Sequence, residues 1–225
     1  MTGTVPTLSI VFMAVSCAIC FLTPLALFLY LRLVKKADIY PFFAGCAVML
    51  LFAFILESGL HNLVFSSPAG PAIRNNIWLY ALYGGFEAIV ITGLTMVNNI
   101  IWSVMINNGS ISSMISSLPG DQLAQAQQSV TLLATLPSYQ FLLSGVERLL
   151  AIALHIALSV IVWFAVKWNG KFCLYPAAIL IHFAVDAAAA ILSGLGVNVI
   201  LIEIAVAVLT AAAALFARRL WRETM

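Results

Sequence analysis

The chain has 225 residues, of which 64% are hydrophobic and 8% charged, with a formal net charge of +2. Soluble domains run near one quarter charged, so this composition excludes a water-soluble enzyme or binding module and leaves an integral membrane protein. The ten basic residues sit mostly at the ends of apolar blocks, where lipid head groups account for them, and they form no footprint for nucleic acid. The apolar blocks are long and lack the two-residue alternation of barrel strands. The fold class is therefore all-α: a polytopic transmembrane helical bundle of about six spans in a single membrane domain, residues 1–225.

Residues 7–33 form the first span. It contains Pro24, which a bundle can accommodate as a kink, and it reads as a retained span rather than a cleaved signal, since no basic n-region or small-residue cleavage site is evident. Arg32, Lys35 and Lys36 close it. The second span, 41–65, opens at Pro41 and carries Glu57 and His61; a loop with Arg74 follows. The third, 77–105, carries Tyr83, Gly84, Gly85 and Glu87. Residues 106–137 are more polar. Asn107-Asn108-Gly109 and the serines after it predict a turn and loop, and the Gln/Ala-rich stretch 121–136 predicts an interfacial helix ended by Pro137. The fourth span, 138–166, carries Glu147, Arg148 and His155; the fifth, 173–192, carries His182 and Asp186; a tight turn at 194–198 leads to the sixth, 199–217, with Glu203 near its start. Cys17, Cys20, Cys46 and Cys173 lie in or beside apolar segments and read as packing residues.

An even number of spans puts both termini on one side. That side carries Arg74, Lys167, Lys171, Arg218, Arg219 and Arg222, so the positive-inside rule favours cytoplasmic termini in a bacterial plasma membrane. An ionisable group in hydrocarbon costs about 2.5–3.5 kcal/mol on insertion scales, so each one inside a span needs a reason. At the helical rise, Glu57 lies about 12 Å, Glu87 about 15 Å, His155 about 16 Å and His182 about 15 Å from the terminal side. Four helices thus place a carboxylate or imidazole at one level, and Asp186 shares the face of His182 one turn away. Glu147 and Arg148 lie about 10–12 Å further along and read as a structural ion pair, while His61 sits close enough to an interface to snorkel. The cluster can bind a divalent metal such as zinc, with His155 and His182 as ligands, or activate water without one, a glutamate acting as base while imidazoles orient the water and stabilise an oxyanion.

Gly145-Val146-Glu147-Arg148 with His155 seven residues after the arginine, followed by His182-Phe183-Ala184-Val185-Asp186, resembles the YhfC-type intramembrane metalloproteases, within the wider superfamily of CAAX prenyl proteases and bacteriocin-processing enzymes. The segment 81–94, which contains Tyr83-Gly84-Gly85-Phe86-Glu87-Ala88, resembles that group's Gly-His-Gly-Gly-Ile-Glu-Ala segment. Glu57 with Ser58 and Asn62 falls where the superfamily carries Glu-Glu-x-x-x-Arg. The resemblance implies hydrolysis of a peptide bond in a peptide or membrane-protein substrate at or within the membrane. It implies Glu57 as base and His182 with Asp186 as a His-x-x-x-Asp element, and it offers no histidine at Tyr83. Taken with the depths above, the reading is Glu57 or Glu87 as base, His155, His182 and Asp186 binding water, metal or oxyanion, and His61 and Tyr83 as secondary candidates. Ser58, Asn62 and Tyr83 depart from the pattern. Two other classes stay open: a catalytically degenerate relative acting as a scaffold, immunity protein, chaperone or transporter-complex subunit, and a small-solute or ion carrier.

A phenol with a reference pKa near 10 is a poor metal ligand at neutral pH, so Tyr83 in place of histidine predicts an incomplete metal site. Elemental analysis of protein purified without chelator is expected to show no stoichiometric zinc, and Tyr83→His to raise zinc uptake. One tightly held zinc per wild-type chain would overturn this expectation.

Overall fold

The computed structural model describes residues 3–34, 36, 90–168 and 170–223. Among these residues there are seven helices: α1 (Thr7–Leu33), α2 (Val90–Asn107), α3 (Ile111–Ser116), α4 (Gly120–Thr135), α5 (Ser138–Lys167), α6 (Leu174–Gly194) and α7 (Val199–Arg222). Four of them, α1, α5, α6 and α7, are long and apolar enough to cross a bilayer. The all-helical membrane architecture expected from composition holds. The second span, 41–65, and the first part of the third, 77–89, lie outside the described residues, so the count of six is not established; α2 is the remainder of the third. The chain divides into two compact units, Met1–Ala26 with Ile89–Arg148, and Leu27–Ala88 with Leu149–Met225.

The first unit holds the start of α1, then α2, α3, α4 and the start of α5. In lipid, association has little hydrophobic driving force, and close van der Waals packing with polar cross-links takes its place. α1 presents Ser9, Met13 and Ser16, all fully buried, at a three- to four-residue spacing. Ser9 Oγ lies 2.8 Å from Ser138 Oγ, and Ser16 Oγ donates to the Phe141 carbonyl at 2.5 Å. Gly145 packs against Ser16 so tightly that a Cβ there would lie 2.7 Å from Ser16 Oγ and 3.0 Å from Ser16 Cα. Ahead of α1, the Asn107 side chain clamps the backbone of Val5 at both ends, accepting from its N–H at 2.8 Å and donating to its carbonyl at 3.0 Å. The N-terminal strand of chain is thereby satisfied by a side chain where no sheet is present to do so.

The region 106–137 departs from the expected turn and loop. The serine stretch is the short helix α3, because Ile111 and Ile115 share a face and are both buried. Its serines return their hydroxyls to carbonyls three residues back, Ser112 to Gly109 at 3.0 Å and Ser113 to Ser110 at 2.8 Å. That removes the usual competition between serine and the helical backbone. α4 matches the predicted Gln/Ala-rich helix. Ala126, Val130 and Leu133 form its buried stripe, with Gln125 and Gln128 exposed away from it.

The second unit is built on α5, α6 and α7. Leu154, Ala157, Leu158, Ile161 and Phe164 of α5 pack with Ala178 and Val185 of α6 and with Ala213, Ala217 and Leu220 of α7. Alanines on all three helices let backbones approach closely. Gly196, at φ +72°, makes the turn between α6 and α7, and Asn198 caps α7 by accepting from the Ile200 N–H at 2.9 Å. α7 continues past the expected end at residue 217 to Arg222, since Ala217 and Leu220 keep its buried stripe going.

The Ser16–Gly145 approach gives a direct test. Gly145→Ala puts a methyl where backbone cannot yield, and is expected to destabilise the protein by about 1–3 kcal/mol in a detergent unfolding titration. Gly194→Ala, with nothing within 4 Å of its Cβ position, serves as the reference and is expected to have a much smaller effect.

Candidate active site

Within the second unit, α5 contributes His155 and α6 contributes His182 and Asp186. Both helices are committed to the same apolar core through neighbouring residues: Leu154 and Leu158 flank His155 on α5, and Ala178 and Val185 flank His182 on α6. Packing these positions turns the two imidazoles toward one another. Their ring centroids are 5.0 Å apart, with the planes tilted by 48°. His182 Nδ1 lies 2.8 Å from Asp186 Oδ2, one helical turn along α6. That carboxylate oxygen makes no aligned hydrogen bond, so the contact is an ion-pair approach at hydrogen-bond distance rather than a formed hydrogen bond. It turns Nδ1 of His182 toward the acid and leaves Nε2 for another partner. Both side chains are about a quarter exposed, at 23% and 26%, so the group is neither sealed in the core nor open.

The arrangement has the parts of a hydrolytic centre on two helices: an imidazole oriented by a carboxylate, and a second imidazole in ring contact with it. The site also has to be weighed as a metal centre. Zinc in catalytic sites takes three protein ligands. Among the described residues no group of three histidine, cysteine, aspartate or glutamate side chains is arranged to hold a metal ion. His155 and His182 are two nitrogen donors, and Asp186 is turned to His182 rather than to a shared centre. The described residues therefore form no complete metal site by themselves.

Four of the expected site residues, Glu57, His61, Tyr83 and Glu87, lie outside the described residues. Glu147 and Arg148 belong to the first unit. Arg148 is buried, at 6% exposure, whereas the Glu147 side chain is 49% exposed, and Arg148 Nη2 stands 3.8 Å from Glu147 Oε1. Arg148 Nε and Nη1 have no hydrogen-bond partner among the described residues. The pair is thus unequal, a buried cation only loosely matched by a half-exposed acid. Glu203 is half-buried in the first turns of α7. Sequence reasoning passed over Ser16, whose contact with Gly145 sets how closely α1 and the start of α5 approach; the available signal was the seven-residue spacing of Ser9 and Ser16 on one apolar helix.

Comparison with known proteins supplies the family. The family model described as "YhfC intramembrane metalloprotease" matches residues 83–208, more than half of the chain and inclusive of His155, His182 and Asp186. The chain belongs to the YhfC intramembrane metalloprotease family. A YhfC relative, the "Uncharacterized membrane protein YhfC" of Bacillus subtilis (strain 168), is 30% identical over 214 residues, covering 77% of this chain and 81% of the relative. No solved structure matches. The resemblance drawn from the fourth and fifth spans is therefore a family relationship that extends over most of the chain.

The inequality of the arginine–glutamate pair predicts the outcome of removing each partner. Arg148→Met deletes a poorly compensated buried charge and is expected to stay within about 1 kcal/mol of wild type. Glu147→Gln leaves that charge without its acid and is expected to cost about 1–3 kcal/mol. Detergent unfolding of the two variants checks the order, and a larger loss for Arg148→Met would show that the guanidinium is held by more than Glu147.

Proposed function

We infer that this protein is a membrane-embedded peptidase that hydrolyses a peptide bond at or within the bilayer. The observation that carries this reading is the convergence of His155 and His182, 5.0 Å apart on different helices, with Asp186 against His182. Isolated polar side chains in an apolar helix are costly, and two imidazoles brought into ring contact inside one bundle have a chemical use that lipid-facing residues lack. The name of the family points the same way.

In this reading water attacks the scissile carbonyl. His155 and His182 position the water and donate to the oxyanion, and Asp186 fixes the ring of His182 and steadies positive charge as it develops there. Glu57 or Glu87 serves as the base that takes the proton from water and returns it to the leaving amine. A divalent metal, when bound, would supply Lewis-acid activation of the water, with His155 and His182 as two of its ligands. The termini lie on the cytoplasmic side of a bacterial plasma membrane. A second reading, a relative that binds peptide without cutting it, is favoured by Ser58, Asn62 and Tyr83 at positions where the wider pattern has glutamate, arginine and histidine.

The test is cleavage of an internally quenched apolar peptide by the full-length protein in proteoliposomes. His155→Ala and His182→Ala are each expected to lower the rate at least 100-fold, in the range of general acid–base contributions. Asp186→Asn, which removes an orienting acid, is expected to lower it about 10–100-fold. Wild-type protein that binds the peptide but shows no cleavage above Glu57→Gln/Glu87→Gln would replace the peptidase reading with the binding one.

A further inference from the structure

On the second unit, α5 and α7 leave an apolar groove of about 250 Å³. Its floor is small: Ala153 and Ala157 from α5, Ala214 and Ala217 from α7. Its mouth is chemically different. There Arg218 and Trp221 line it, in the last turns of α7. Arg222 is one turn beyond Arg218 on the same face. Of the three arginines that end this helix, Arg219 is ion-paired with Glu223 at 3.5 Å, whereas Arg218 and Arg222 have no ion pair among the described residues. Trp221 is held by ring contacts with Trp163 at 5.8 Å and Phe164 at 5.9 Å. An amphipathic aromatic cluster of this kind marks the level of lipid head groups.

The geometry points to a binding site for one anionic phospholipid, its phosphate on Arg218 and Arg222 and one acyl chain in the alanine-floored groove. Charge complementarity selects the ligand: Arg218 at the mouth and Arg222 one turn beyond it, neither ion-paired among the described residues, suit a phosphate, and basic pockets between membrane helices are a recurring way of holding acidic head groups. Dimensions agree. From Trp221 to Ala214 the groove descends about 10 Å, within the roughly 15 Å of hydrocarbon in one leaflet. Its volume of about 250 Å³ accommodates a stretch of one hydrocarbon chain. The site is independent of the chemistry assigned to the histidines.

The experiment uses full-length protein in proteoliposomes, with phosphatidylglycerol or phosphatidylcholine brominated on the acyl chain as quencher of tryptophan fluorescence. Trp221→Phe identifies the share of the signal that comes from the groove. Wild type is expected to show stronger quenching of that share by the anionic lipid than by the zwitterionic one. Arg218→Gln and Arg222→Gln, both at exposed positions, are each expected to reduce that preference about fivefold. Ala214→Phe, which fills the groove, is expected to abolish the share with the far-UV circular dichroism unchanged; should that variant misfold, the two arginine variants decide. Equal quenching by both lipids, or a preference that survives loss of both arginines, overturns the proposal. So does an Ala214→Phe variant that keeps its lipid signal but changes mass in light scattering, since the groove then belongs to a second copy of the chain.

Discussion

Hydrocarbon offers no hydrogen bonds, so each polar group on a spanning helix has to find its partner on protein. Much of the described architecture follows from that demand. Ser16 reaches the Phe141 carbonyl, Ser9 meets Ser138, Asn107 closes on both backbone groups of Val5, and His182 turns to Asp186. The contacts of Ser16, Ser9 and Asn107 each fix a helix or segment at one height against its neighbour, whereas the His182–Asp186 contact stays within α6. Apolar packing by itself would tolerate sliding by a turn, since one leucine face against another looks much the same after a small shift.

The two units meet the demand in different ways. The first uses hydroxyls and a carboxamide, neutral groups whose partners are largely backbone, and it gains close approach where Gly145 lacks a side chain. The second uses ionisable groups. There α5, α6 and α7 form an alanine-rich core around Ile161 and Phe164, and the two histidines sit at its flank, half-buried. A fully sealed imidazole–carboxylate set would have no route to a substrate, and a fully exposed one in lipid would not be tolerated. Partial burial suits a group that has to be both held and reached. Satisfaction is incomplete at Arg148, whose Nε and Nη1 find no acceptor among the described residues, and at the buried Thr210 hydroxyl.

The serines after Gly109 show how local signals mislead. Serine clusters read as loop because their hydroxyls compete for the backbone. In α3 those hydroxyls bond back to carbonyls within the helix, and two isoleucines one turn apart supply a buried face. Whether serine breaks or joins a helix was settled by what Ile111 and Ile115 could pack against, and that lies elsewhere in the chain.

Composition alone determined that the protein is a helical membrane protein, because 8% charge and long unbroken apolar runs admit no other solvent for most of its surface. The i,i+4 spacing determined that His182 and Asp186 share a face, and the run of motifs in the fourth and fifth spans pointed to the family. Spacing could not bring His155 to His182, since they lie on different helices and their meeting depends on how Leu154, Leu158, Ala178 and Val185 interlock. Nor could it show that Glu147 leaves Arg148 half-matched, because adjacent residues on a helix diverge by about 100° and only the packed bundle decides which of them is buried. Sequence set which chemistry the chain carries at each depth, and tertiary packing decided which of those groups came within reach of one another.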